Sequence, residues 1–205
     1  MHHSSPRCPP EAAAPPVAKT QYYTATSMDG FIADERNSLE WLFEVDRDQT
    51  AADNSFAGFF AEIGAMAMGR TTYEWVLEHD HLLEDPAKWH GYYGDTPCWV
   101  FTHRDLPPVQ GANLTFVHGD VAPVHREMTQ AAGGKNLWLV GGGDLVGQFA
   151  DAGLLDEILL AVAPVTLGRG APLLPRRLTA ARLELTDVAR DRQFARLTYR
   201  VAGPG

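Results

Sequence analysis

The chain has 205 residues, 45% hydrophobic and 21% charged, with a formal net charge of −9, which fits one globular domain with a full core plus a tail. Its longest basic run is Arg176-Arg177, too little for a surface that holds nucleic acid or an anionic membrane. No apolar run approaches the ~20 residues of a membrane span, and no signal-peptide core is visible. Two cysteines, Cys8 and Cys98, form no C-x-x-C pair, so reduced thiols in a cytoplasmic protein are expected.

Residues 1–19, rich in Pro, Ala, Ser and His, predict a disordered tail, which leaves 20–205 as the domain. The strand formers of Gln21–Thr26 run into Ser27–Asp34, whose turn residues end regular structure. A long connection then reaches about Asp48, anchored by Trp41, Leu42 and Phe43; loops of this length often act as lids. From Thr50 to Ile63, Phe56, Phe59, Phe60 and Ile63 recur at helical spacing. Asp53 shares their face, either as an acid favoured by the dipole of a first helical turn or as a buried carboxylate with a purpose.

Ala65–Met68 predicts a short buried strand ending at Gly69, with Thr71 or Thr72 able to cap the next helix. Arg70 is either a surface residue or a phosphate ligand beside an anion-ready helix start. The segment 79–95 carries His79, His81 and His90 at irregular spacing, which predicts a loop of solvated side chains and no metal site. Pro97–Phe101 and Leu114–Val117 read as strands, ending at Thr102-His103-Arg104 and His118-Gly119-Asp120, and a helix follows from roughly Pro123 to Ala132.

Next comes Leu137-Trp138-Leu139-Val140 running into Gly141-Gly142-Gly143-Asp144-Leu145: strand, tight turn, helix. Without Cβ atoms, such a turn lets a ligand reach the backbone, and the helix start offers N–H groups and a positive dipole end, well suited to a diphosphate. The dinucleotide fingerprint G-x-G-x-x-G fails, because Val146 stands at its last position. Glu157–Val162 is a further strand, 163–174 a Gly/Pro-rich crossing, and Leu183–Ala189 with Ala195–Val201 a hairpin. The pattern predicts an α/β fold: a mostly parallel twisted sheet with antiparallel C-terminal edge strands and helices on both faces. Ligands then bind at the carboxyl ends of the strands, where Gly69–Thr72, Thr102–Arg104 and Gly141–Leu145 gather.

Several stretches carry a family resemblance: Ser27-Met28-Asp29-Gly30-Phe31-Ile32-Ala33, Met68-Gly69-Arg70-Thr71-Thr72-Tyr73-Glu74, Val140-Gly141-Gly142-Gly143, Gly153-Leu154-Leu155-Asp156-Glu157, and Ala163 to Leu173. Together they resemble the dihydrofolate reductase-like superfamily, in the branch related to the C-terminal reductase domain of the riboflavin-biosynthesis deaminase-reductase. That resemblance implies an NADPH site. Gly69, Arg70, Thr71 and Thr72 with Gly141, Gly142, Gly143, Asp144 and Leu145 would hold the diphosphate. Thr102, His103 and Arg104 with Arg70 would grip the 2′-phosphate, two guanidinium groups suiting a dianion. Ala25 and the loop containing Asp29, Gly30 and Ile32 would lie against nicotinamide and substrate.

Asp53 stands 16 positions before Gly69, the spacing at which reductases of this superfamily place their helix acid, so the resemblance makes Asp53 the catalytic acid. The implied activity is NADPH-dependent reduction of a small pteridine- or pyrimidine-like heterocycle, or of another C=N or C=O compound, without a metal. Only the reductase half of the riboflavin enzyme has a counterpart here. A homodimer is expected as well. The competing expectations are a non-catalytic NADP(H)-binding sensor and a purely structural protein.

Overall fold

The structure, a computed structural model, describes residues 18–45 and 56–203. Its strands are β1 (Thr20–Ser27), β2 (Phe31–Ala33), β3 (Ile63–Gly69), β4 (Cys98–Phe101), β5 (Leu114–Val117), β6 (Asn136–Gly141), β7 (Glu157–Ala163), β8 (Ala171–Pro172), β9 (Leu183–Asp191) and β10 (Phe194–Val201). The helices are α1 (Glu40–Phe43), α2 (residues 56–61), α3 (Arg70–His79), α4 (Ala87–Tyr93), α5 (Val121–Ala131) and α6 (Gly143–Asp151). None of them is long and apolar enough to cross a membrane.

Eight strands form one sheet in the order β5-β4-β3-β6-β1-β7-β10-β9. All neighbours from β5 to β7 are parallel, whereas β10 is antiparallel to both β7 and β9. The mostly parallel sheet with an antiparallel C-terminal edge is therefore present as expected. Its centre reads as a continuous apolar run because both faces are covered. Alternate residues of β3 and β6 serve opposite cores: Ala65, Ala67, Leu137 and Leu139 face the layer of α5 and α6, while Met66, Met68 and Trp138 face that of α3 and α4. On β1, Tyr22 joins the first core and Tyr23 packs against the second.

Some local expectations are corrected. The segment 79–95 contains α4, whose Trp89 is fully buried and packs its ring 4.7 Å from Tyr93, one turn on; the polar residues around it conceal this short apolar face. Regular structure does not end at Ser27, because β2 pairs antiparallel with β8. That partner lies about 140 residues away, beyond any local signal. Ile63 opens β3 instead of closing a helix, and α3 is capped by Gly69, with no side-chain cap from Thr71 or Thr72. Within the long connection α1 forms, and Phe43 stacks on His79 at 5.2 Å. Residues 1–17 and 46–55, which hold most of the expected tail and Asp53, lie outside the described residues.

Candidate functional site

Two strands that end side by side build the site. β3 stops at Gly69, which starts α3, and β6 leads through Gly142 into α6. Both N-caps have extended backbone, and neither helix has a side-chain cap. First-turn N–H groups of a helix have no intrahelical acceptor, so each start presents open donors and a positive dipole end. The two starts are adjacent: a Cβ on Gly69 would lie 3.7 Å from both the Gly141 carbonyl oxygen and the Gly142 nitrogen. Gly141 has φ of +144°, which side-chain-bearing residues rarely adopt. A Cβ on Gly143 would strike the Pro172 carbonyl oxygen at 2.3 Å, so glycine also lets α6 begin against β8.

Two clefts open here and share Thr71, Gly142 and Asp144. One, of about 350 Å³, is the more polar of the two. Gly69, Arg70, Thr102, His103 and Leu145 line it, as does His118, which sequence reasoning did not select. The rings of His103 and His118 lie 6.1 Å apart. Arg70 pairs with Glu74 at 2.7 Å. Arg104 does not line this cleft; its amide donates to the Thr102 hydroxyl at 3.0 Å, shaping the turn after β4. His118 follows β5 as Thr102 follows β4, so the strand-end rule that selected Thr102 applied equally to it.

The other cleft, of about 300 Å³, is mainly apolar and includes Ile32, Thr72, Trp75, Gly141, Gly143 and Pro172. Trp75 is four residues beyond Thr71 on α3, and helical periodicity from Thr71 was the available signal for it. Leu39, just before α1, completes one wall. Ala25, Asp29 and Gly30 line neither cleft. Ala25 sits on β1 opposite Ala161 of β7. Asp29 accepts from the Ser27 hydroxyl at 2.6 Å and from the amides of Gly168 at 2.7 Å and Leu167 at 3.1 Å, which fastens the 165–168 loop to the β1–β2 turn. Those hydrogen bonds, with Ser27 first, hold its carboxyl below the usual carboxylate range.

The arrangement offers backbone donors for an anion between the helix starts, a cation and two imidazoles on one side, and an apolar slot on the other. The model of the RibD C-terminal domain family matches residues 18–193. The chain belongs to this family. It is 31% identical to the uncharacterized Bacillus subtilis protein YwjB over 88% of this chain and 97% of YwjB. It resembles the crystal structure of a candidate riboflavin biosynthesis protein from Shewanella sp. PV-4 with a TM-score of 0.72 and 25% identity, covering 90% of this chain and 99% of that one. A dihydrofolate reductase from Enterococcus faecalis, solved with NADP(H) and RAB-propyl, shares the fold at a TM-score of 0.54 and 14% identity, over 89% of this chain and 96% of that one. This RibD C-terminal domain chain thus has the dihydrofolate reductase fold.

Proposed function

We propose that the protein is an NADPH-dependent reductase of a small heterocyclic or C=N/C=O substrate of pteridine or pyrimidine type. The observation that carries this reading is the adjacency of two uncapped, glycine-exposed helix starts at the junction of a polar and an apolar cleft. Such a junction suits a dinucleotide diphosphate. Family membership and the NADP(H)-bound reductase of the same fold support it.

In this reading the amides that begin α3 and α6 bind the diphosphate, and Arg70, Thr102 and His103 hold the 2′-phosphate, with His118 beside them. The apolar cleft between Trp75, Ile32 and Pro172 excludes water from the reacting rings. NADPH supplies the hydride, and the chain contributes placement and a proton source. Asp53 is the proposed acid. Titrating the protein into NADPH while following nucleotide fluorescence tests the proposal: micromolar affinity and a preference over NADH are expected, and no binding would remove it. Binding without turnover on pteridine, pyrimidine and carbonyl compounds would favour a sensor.

A homodimer is part of the proposal. β9 is an edge strand whose Leu185 and Val188 are 50% and 61% exposed, a surface open to pairing with a second copy.

A further inference from the structure

Asp144 stands at an awkward place. It lies in the first turn of α6 and lines both clefts, so its carboxylate shares the helix start with the diphosphate of the proposed function. An uncompensated negative charge there repels an anionic ligand and cancels the field of the helix N-terminus. The carboxylate, however, is not left alone. Arg176 Nη1 holds Asp144 Oδ1 at 3.1 Å, and Gln148 Nε2 donates to Asp144 Oδ2 at 3.2 Å.

The course of Arg176 explains a second oddity. Glycine in the middle of a helix weakens it, yet Gly147 sits inside α6. A Cβ there would lie 2.8 Å from Arg176 Cζ and 2.9 Å from both Cγ and Nε. The side chain therefore lies flat along the helix over Gly147 and bridges two acids about two turns apart, reaching Asp151 Oδ2 with Nε at 2.6 Å. Arg176 itself follows Pro175, which lines the apolar cleft, and Leu173, whose amide donates to the Gly30 carbonyl at 2.9 Å.

We infer that Arg176, seated on Gly147, is a positioning residue for nucleotide binding: it draws the Asp144 carboxylate along α6 and neutralises it, so that the helix start presents positive potential to a diphosphate. This rests on the proposed NADPH site. Asp144 is then tolerated at the site because its charge is answered along the face of α6 that it shares with Gly147 and Asp151. Arg176 acts on the ligand through Asp144 alone.

The test is a double-mutant cycle on the full chain, read as NADPH affinity by fluorescence, with the melting temperature of the ligand-free protein recorded for each variant. Arg176→Gln is expected to bind NADPH about tenfold more weakly at low salt, with a smaller loss at high salt as screening grows. Asp144→Asn, which keeps the helix-start amide and removes only the negative charge, should bind NADPH more tightly than the wild type at low salt, and the double variant should match Asp144→Asn. Gly147→Ala, which keeps the charge but lifts the guanidinium, should weaken binding in the same sense and add nothing to Arg176→Gln. A purely structural Arg176 would leave the double variant as weak as Arg176→Gln and insensitive to salt, which overturns the inference. Unchanged affinity in Arg176→Gln overturns it too. Absence of NADPH binding by the wild type overturns the proposed function, and this inference falls with it.

Discussion

Arg70 and Glu74 form an ion pair of 2.7 Å across one turn of α3, with the arginine on the wall of the polar cleft. The pair holds the guanidinium in place while competing for it. A 2′-phosphate offers oxygens in the geometry that arginine matches in a bidentate way. Glu74→Gln is therefore expected to tighten NADPH binding by a few-fold, and Arg70→Ala to weaken it about tenfold while changing NADH affinity little. Equal losses for both nucleotides in Arg70→Ala would remove the 2′-phosphate assignment.

Gly69→Ala separates folding from binding. The position has φ of −80°, and its nearest neighbours to an added Cβ are at 3.7 Å, so the fold can accept alanine. That methyl group would stand between the two helix starts, on the surface a diphosphate would touch. Affinity for NADPH should fall by about tenfold or more, with the melting temperature within a few degrees of wild type. Parallel calorimetry and nucleotide titration check this; a variant that binds as the wild type does would take the diphosphate away from this junction.

Asp53→Asn should abolish turnover on any substrate found while NADPH affinity stays within about twofold, because a proton donor differs from a cofactor ligand in what it contributes. Single-turnover kinetics beside equilibrium titration distinguish the two roles. Loss of both together would move Asp53 out of the catalytic role.

Stability should fall in acid in two stages. His125 is half-buried with Nε2 2.8 Å from the Thr20 hydroxyl; burial lowers its pKa from 6.5, against the opposing pull of Asp156. Because the folded value lies below the unfolded one, its contribution is intact above pH 6.5 and declines as the pH drops through the lowered value. Asp29 follows the same sign lower down: its contribution is complete above pH 3.8 and is lost as the pH falls through its depressed folded value. Urea denaturation across pH should show the upper stage flattened in His125→Gln and the lower one in Asp29→Asn. A single unshifted acid transition in both variants would contradict these assignments.

Val188→Lys replaces one of the two large exposed apolar side chains of β9 with a charge. If the chain pairs with a copy of itself along this edge, the variant should elute as a monomer where the wild type elutes as a dimer, with little change in monomer stability. Light scattering coupled to size exclusion gives the answer, and an unchanged dimer would place the interface elsewhere.

Much of the architecture was legible because it rests on local periodicity. The uninterrupted apolar runs at Ala65–Met68 and Leu137–Val140 announced strands covered on both faces, and the short polar turn near Arg192 announced an antiparallel hairpin. The strand ends then indicated where Arg70, Thr102 and Gly142 would meet. Hidden were features made by distant partners: β2, which exists through β8, and α4, whose one buried face is narrow.

The amino-acid order alone determined the eight strands of the main sheet, the glycines at two helix entrances and the family to which they point, since each depends on neighbours within a turn or a strand. Only the tertiary structure decided which charges serve the cleft. It put Arg70 on the polar wall and Arg104 off it, turned Asp29 to the 167–168 amides, and laid Arg176 over Gly147 against Asp144. The direction of a long side chain follows from packing between segments far apart in the chain, and no local pattern encodes it.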